Sequence, residues 1–251
     1  MVQSVSEPTQ APDWRATKKW YTHETLLVDI VRLLAKIYYY PQVKLQKVGF
    51  ENMPQGPAIM VANHINNNDV PLIGLCFPKG RHIYFMTKME LFNKFEWFFR
   101  CGGAFPINRG EYDAWAFEHV GKILAAGQIC MIYPEGTRNR GEKVEVQRAK
   151  TGAVRLAVRY QVPILPCAII GPEGLPAKRF RSWRPVTARV ALGKLIDIPA
   201  LAPQEPTRPL VYRDLTDLVM YQLAQLLPEE NRGFYAKEPK FKILTQLARP
   251  G

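Results

Sequence analysis

Apolar and polar positions alternate along the chain with two periods, one typical of helices and the other of strands. In residues 24–40 apolar side chains recur every three or four positions, and charged side chains fall on the opposite side. Pro41 ends this pattern, which predicts an amphipathic helix. Two interpretations of its apolar side stay open: packing on the protein core, or insertion into the head-group layer of a membrane together with the Trp-rich segment before it.

Beyond Pro41, short apolar runs alternate with helical patterns. Strands are predicted at residues 43–48, 58–62, 82–86, 129–133, 164–170 and 186–192, and helices at 113–126, 150–160 and 210–227. Strands separated by helices indicate an α/β fold, here a single layered domain with a mostly buried central sheet flanked by helices. We divide the chain into an N-terminal tail with the amphipathic helix (1–41), a main domain (42–227) and a C-terminal tail (228–251).

Composition adds a charge argument and excludes several classes of protein. The 251 residues include 34 Lys and Arg against 22 Asp and Glu, and this net charge of +12 favours anionic partners. No run of 18 uncharged apolar residues occurs, so we expect no membrane-spanning helix. The few serines form no GxSxG motif, and the histidines and cysteines lack metal-ligand spacing. We therefore expect neither a serine nucleophile nor a bound metal.

A polar run, Asn-His-Ile-Asn-Asn-Asn-Asp at 63–69, directly follows the predicted strand at 58–62. Ligands of open α/β sheets collect at the carboxyl ends of strands. There the His64 imidazole could take a proton near neutral pH, and Asp69 could orient it and stabilise the resulting cation. Their five-residue spacing is about 140° out of phase on a helix, so the pair can meet only across a loop, which the asparagines permit. Alternatively, Asp69 only caps a helix that starts near Val70.

Two further loops supply candidates for binding phosphate. The glycine-containing segment 102–110 carries Arg109 at the end of an extended run, and the Pro-Glu-Gly-Thr-Arg run at 134–138 follows another predicted strand. The guanidinium groups of Arg109 and Arg138 fit phosphate oxygens in a bidentate manner. Lys150 precedes a predicted helix N-terminus, which also attracts anions. Taken alone, each loop could equally be an ordinary turn.

In this order, the blocks resemble the glycerophospholipid acyltransferase family, the 1-acylglycerol-3-phosphate O-acyltransferases and their relatives. The resemblance covers roughly residues 43–195. It is carried by the NHxxxxD block (63–69), a block from glycine to arginine (103–109), the PEGTR block (134–138) and an apolar, Pro-containing strand (162–166).

The resemblance implies a membrane-associated O-acyltransferase of phospholipid biosynthesis. Such an enzyme moves a fatty acyl group from acyl-CoA or acyl-acyl carrier protein to the free hydroxyl of 1-acyl-sn-glycerol 3-phosphate (lysophosphatidic acid), which gives phosphatidic acid without a cofactor or metal. It implies that His64 and Asp69 are catalytic. The implied substrate-binding residues are Arg109, Glu135, Gly136, Thr137, Arg138 and Lys150. Whether Glu135 binds a glycerol hydroxyl or supports its own loop stays open.

We expect the protein to bind peripherally to the anionic surface on the cytoplasmic face of a membrane. The basic segment 178–194, which includes Phe180 and Trp183, suits anionic lipid, the phosphates of CoA or an acidic carrier protein, or else forms a solvated strand edge. One alternative keeps the chemistry but changes the acceptor to glycerol 3-phosphate, another lysophospholipid or an aminolipid. A less favoured alternative is a non-catalytic basic protein that binds nucleic acid, although the chain carries no recognition motif of that class and we expect no nucleic-acid partner.

Overall fold

A seven-stranded sheet with helices against both of its faces forms the centre of the protein. The computed structural model describes residues 13–23, 25–108, 112–138, 144–175, 185–202 and 209–239. The strands are β1 (Val43–Val48), β2 (Ala58–Ala62), β3 (Ile83–Lys88), β4 (Ala104–Ile107), β5 (Ile129–Ile132), β6 (Ile164–Ile170) and β7 (Val186–Leu192). The helices are α1 (Leu26–Tyr39), α2 (Asp69–Cys76), α3 (Met89–Lys94), α4 (Glu96–Cys101), α5 (Ala114–Ala125), α6 (Gly152–Tyr160), α7 (Ile198–Leu201) and α8 (Pro209–Ala224). The predicted α/β class is confirmed.

The order of the strands brings two of the predicted loops together. The sheet runs β1-β7-β6-β2-β5-β3-β4, and β6 and β7 are its only antiparallel neighbours among the described residues. Consequently β2, β3, β4, β5 and β6 all end at the same edge of the sheet. Strands β2 and β5 are direct neighbours, with Val61 opposite Ile132. The loops that follow them therefore start side by side.

Strand β2 is buried on both faces, as its uninterrupted apolar sequence predicts. Ile59 and Val61 pack into the layer that contains α5, α6 and α8. Ala58 and Met60 point the other way, into the layer that contains α2. This double coverage anchors the strand from which the first polar loop emerges.

Helix α1 presents its apolar side outward. The side chain of Thr25 caps its N-terminus by accepting from the Val28 amide, and Val28 is the buried residue of this helix. The helix lies against α2. Its apolar side is between 44% and 77% exposed at Leu26, Ile30, Leu33, Leu34 and Ile37. Packing of that side on the protein core, one of the two interpretations left open by the sequence, is therefore wrong.

Within the described ranges, no helix combines the length and apolar character that crossing a bilayer requires.

Several features of the fold were not predicted from the sequence. Helices α3 and α4 have only six residues each and are separated at Phe95. A helix of six residues is too short to show a helical period in the sequence. The two helices expose large aromatic side chains at Phe95, Trp97 and Phe98. In addition, part of the predicted C-terminal tail packs on the domain, because the Tyr235 ring is buried and its hydroxyl donates to Asp217 of α8.

Part of the predicted N-terminal tail is also fastened to the domain, through a buried ion pair. The Arg15 guanidinium donates to both carboxylate oxygens of Asp113, at 2.6 and 3.0 Å, and lies over the Trp115 ring. Asp113 also caps α5 by accepting from the Ala116 amide, and it accepts from the Asn108 amide. Burial alone would raise the pKa of Asp113, but these hydrogen bonds outweigh burial and hold the pKa below its ordinary value.

Replacing Asp113 should therefore be far more damaging than removing an ordinary helix cap. Asp113→Ala removes the buried partner of the Arg15 cation and leaves it only the partly exposed Asp13 as a carboxylate partner, so it should lower the free energy of unfolding by about 3 kcal/mol, the lower end of the cost of breaking a buried ion pair. The matched control is Asp197→Ala, which removes the exposed cap of α7 and should cost about 1 kcal/mol. Urea unfolding measures both. Equal losses would show that the ion pair does not stabilise the fold.

Candidate active site

The first polar loop brings His64 and Asp69 into contact. The Asn63 side chain bonds both the amide and the carbonyl of Ile169 in β6, which fixes the chain as it leaves β2. The next residues turn, and α2 begins at Asp69. Nδ1 of His64 then lies 2.8 Å from Oδ2 of Asp69. The predicted contact across a loop is thus present.

Asp69 has two structural roles at once. Its Oδ2 accepts from the backbone amides of Ile65, at 2.6 Å, and Asn66, at 3.0 Å, as well as contacting Nδ1 of His64. The residue is fully buried and is also the first residue of α2. The alternative interpretation of Asp69 as a helix cap is wrong, because the N-cap residue of α2 is Asn68 and the Asp69 carboxylate accepts from amides that precede the helix.

The asparagines connect the loop to its surroundings. Asn66 donates to the Pro172 carbonyl at 2.8 Å and accepts from the Asn68 amide. Asn68 in turn accepts from the Tyr39 hydroxyl at the end of α1, also at 2.8 Å. The sequence predicted only that asparagines would permit a loop, whereas here they hold it against the segment after β6 and against α1.

The loop after β5 contacts the His64 side chain from two directions. The Tyr133 ring stacks on the imidazole, with 4.0 Å between ring centroids and 18° between planes. Arg138 Nε donates to His64 Nε2 at 3.3 Å. Burial raises the pKa of Tyr133 well above its ordinary value, so the ring packs in its neutral form. The sequence analysis assigned no role to Tyr133, although its place at the end of a predicted strand was a usable signal.

Glu135 lies under the backbone of both loops. Its Oε1 accepts from the His64 amide at 3.3 Å, and its Oε2 accepts from the Gln147 amide at 2.8 Å. Burial raises its pKa to about 7, against the opposing effect of these two hydrogen bonds. Both oxygens are engaged within the protein, so the geometry favours loop support over contact with a glycerol hydroxyl.

The remaining residues of the Pro-Glu-Gly-Thr-Arg run lie beside Lys150. Gly136 has φ +73°, and a Cβ there would lie 3.2 Å from the Lys150 side chain. The Lys150 amide donates to the Pro134 carbonyl at 2.8 Å. The side chain of Thr137 is exposed. These residues therefore belong to one loop cluster with His64 and Asp69.

Some predicted site residues lie outside the described part of the chain. They are Arg109 and the cationic residues of the basic segment up to Arg184. The residue before Arg109 is described, and the amide of this Asn108 donates to Asp113. The end of β4 is thus fixed by the same carboxylate that holds Arg15.

A family model described as Acyltransferase matches residues 44–170 of this sequence. The chain belongs to the acyltransferase family. The match starts in β1 and ends with β6, so it includes both loops of the candidate site. The resemblance stated from the sequence motifs is confirmed.

Named relatives of this acyltransferase chain are 26–32% identical to it over the aligned regions. A probable 1-acyl-sn-glycerol-3-phosphate acyltransferase of Mycoplasma pneumoniae is 28% identical over 178 residues, which cover 68% of this chain and 65% of the relative. The 1-acyl-sn-glycerol-3-phosphate acyltransferase of Saccharomyces cerevisiae is 26% identical, over 53% of this chain and 45% of the relative. That of Bacillus subtilis is 32% identical, over 49% and 61%. The chain thus matches less than two thirds of the length of each.

A solved structure shares the fold. The crystal structure of the 1-acyl-sn-glycerophosphate (LPA) acyltransferase PlsC from Thermotoga maritima superposes with a TM-score of 0.54 at 24% identity, over 76% of each chain. At this identity the likeness establishes the fold alone.

The raised pKa of Glu135 predicts a specific pH dependence of stability. A carboxyl group whose pKa is about 7 when folded and 4.5 in its ordinary state favours folding when protonated, so its contribution is lost as pH rises from about 4.5 to about 7. Relative to Glu135→Gln, which cannot titrate, the wild type should lose about 3 kcal/mol of unfolding free energy over that range. Urea unfolding at a series of pH values measures the difference.

The control for this experiment is Glu229→Gln, at an exposed position of the chain. Its stability curve should run parallel to that of the wild type. A Glu135→Gln curve that also runs parallel would contradict the raised pKa.

Proposed function

We propose that this protein is an O-acyltransferase that moves a fatty acyl group from a thioester to the free hydroxyl of lysophosphatidic acid, giving phosphatidic acid. The observation that carries the proposal is the contact of His64 Nδ1 with the buried Asp69 carboxylate, next to the guanidinium of Arg138. The relatives named as 1-acyl-sn-glycerol-3-phosphate acyltransferases support this acceptor.

In this mechanism His64 is the general base. A carboxylate can only accept hydrogen bonds, so the proton of the neutral imidazole lies on Nδ1 and the lone pair on Nε2. Nε2 takes the proton of the acceptor hydroxyl while the oxygen attacks the thioester carbonyl. The new C–O bond forms, the C–S bond breaks, and the proton passes to the leaving thiolate. Asp69 orients the ring and stabilises the imidazolium.

The acceptor's phosphate would bind the cations near this base. Arg138 is half-buried, and Lys150 lies in the same loop cluster. Strand β4, which precedes Arg109, is two positions from β5 in the sheet, and at about 4.8 Å per strand this separates their ends by about 10 Å. Arg109 stays the second proposed ligand of the phosphate beside Arg138, because a guanidinium pairs with phosphate oxygens in a bidentate manner.

The donor is acyl-CoA or acyl-acyl carrier protein, both of which present a thioester next to a phosphopantetheine arm. Glycerol 3-phosphate and other lysophospholipids are the alternative acceptors, since they offer a hydroxyl near a phosphate. A panel of these acceptors with purified protein and labelled acyl-CoA, read by mass spectrometry, identifies the preferred one.

Removal of the base should abolish most of the activity without affecting the fold. His64→Ala should lower the rate of acyl transfer to lysophosphatidic acid by ~10²–10⁴-fold, the usual contribution of general base catalysis. The control is His23→Ala, which removes an exposed histidine outside the site. Transfer at the wild-type rate by His64→Ala would exclude the proposed base.

We further propose that the outward apolar side of α1 binds the cytoplasmic face of a membrane. Five aliphatic side chains along one side of this helix are exposed, and burying such groups in lipid is favourable. The net charge of +12 adds attraction to anionic lipid. An acyl acceptor with a lipid tail is itself confined to that surface, which makes the location consistent with the proposed reaction.

Polar substitutions on α1 should release the protein from vesicles. Leu33→Ser with Ile37→Ser removes two neighbouring aliphatic groups, and binding to vesicles that contain phosphatidylglycerol should fall about tenfold or more in a flotation assay. The matched control is Leu195→Ser with Leu201→Ser, at two exposed leucines outside α1. Equal flotation of both double variants would contradict a membrane contact through α1.

A further inference from the structure

Arg138 donates a hydrogen bond to Nε2 of His64, the nitrogen that acts as the base in the proposed reaction. Its Nε donates to His64 Nε2 at 3.3 Å, while Nδ1 of the same ring faces Asp69 at 2.8 Å. With the ring proton on Nδ1, the Nε2 lone pair is the atom that takes the acceptor's proton, and here that lone pair receives the Arg138 N–H. A guanidinium stays protonated at every accessible pH, so Arg138 cannot pass a proton on. The base can act only after Arg138 moves.

The surroundings of Arg138 allow that movement. The residue lies outside any strand or helix, six residues after the end of β5, and is half-buried. Among the described residues no carboxylate forms an ion pair with it. The imidazole, by contrast, is held by Asp69 on its edge and by Tyr133 on its face. The guanidinium can therefore leave while the ring stays in place.

A phosphate group competes with His64 for the Arg138 guanidinium. A phosphate offers the guanidinium an opposite charge and two parallel N–H···O bonds, whereas the imidazole offers it a single neutral acceptor atom, so the contact with phosphate is the stronger one. An acceptor whose phosphate binds near the loop after β5 would therefore draw the Arg138 guanidinium away from Nε2.

Resting on the function proposed above, we propose that Arg138 is a phosphate-responsive cover on His64, withdrawn from Nε2 only when a phosphorylated acceptor binds. The cover makes the base available in the presence of the correct substrate and unavailable without it. Without the acceptor, His64 cannot take a proton from water. The thioester donor is therefore protected from hydrolysis until the acceptor binds.

The test measures the accessibility of His64 Nε2 directly. Diethyl pyrocarbonate acylates unprotonated imidazole nitrogens, and peptide mass spectrometry reports labelling at each histidine separately. Dodecyl phosphate, dissolved below its micelle concentration, offers a phosphate and an alkyl tail but no hydroxyl to be acylated. In the wild type it should raise the rate of His64 labelling roughly 10-fold or more, the factor expected from release of one hydrogen bond to a charged group. The exposed His23 serves as the internal standard.

Two variants separate the cover from other effects of the ligand. Arg138→Ala removes the cover, so His64 should label rapidly with or without dodecyl phosphate. Arg138→Gln places an uncharged N–H donor the same number of bonds from Cα as arginine Nε, so labelling should stay slow in both conditions. Arg155→Ala, at an exposed arginine of α6, should respond to dodecyl phosphate as the wild type does.

Either of two results would overturn the inference. One is that dodecyl phosphate leaves His64 labelling of the wild type unchanged or slows it. The other is that Arg138→Ala and Arg138→Gln label at the same rate as each other. Acyl transfer to lysophosphatidic acid is measured on the same preparations, so the two proposals fail separately: an unresponsive His64 in an active enzyme refutes the cover, whereas a responsive His64 without transfer refutes the function.

Discussion

A single carboxylate oxygen, Oδ2 of Asp69, holds the candidate site together. It receives N–H groups from the backbone of Ile65 and Asn66 and faces the imidazole of His64. A fully buried carboxylate is costly unless such donors satisfy it, and its position at the start of α2 adds the favourable field of the helix N-terminus. The path of the loop, the start of the helix and the orientation of the imidazole therefore depend on one another and cannot be varied separately.

The strand order supplies the second half of the site. Because β2 and β5 are neighbours and both end at the same edge, a segment about 70 residues further along the chain reaches the imidazole. That segment contacts His64 in three ways: Tyr133 on the ring face, Glu135 on the backbone amide, and Arg138 on Nε2. The two loops thus bring together groups with separate tasks: Asp69 and Tyr133 hold the ring, and Arg138 is the group proposed to control access to Nε2.

The sequence predicted those parts of the molecule that depend on local pattern. The bounds of β1, β2, β6 and β7 agree with the apolar runs, since each run is closed by a residue that strands tolerate poorly. The spacing of His64 and Asp69 and the loop-forming asparagines permitted a contact between them without requiring it, and the structure shows the contact. Contacts between distant segments have no such local signature, and the pairing of Arg15 with Asp113, 98 residues away, is one example.

The amphipathic pattern of α1 illustrates a different limit of prediction from sequence. Its period fixes which side chains share a face, but the same period suits a face turned inward or outward. Only the packing of α1 against α2, with the aliphatic side directed away, decides between them.

That orientation connects the proposed membrane contact to the catalytic loop. The Tyr39 hydroxyl at the C-terminal end of α1 donates to Asn68, the residue before Asp69. Burial raises the pKa of Tyr39 to about 12, so this hydroxyl remains a donor at any physiological pH. A helix that rests on lipid through its outer side would therefore hold the loop of His64 at a fixed height above the surface. An acceptor anchored by its acyl chain brings its hydroxyl and phosphate to a fixed height as well, so membrane binding aligns the base with its substrate in one dimension before any direct contact is made.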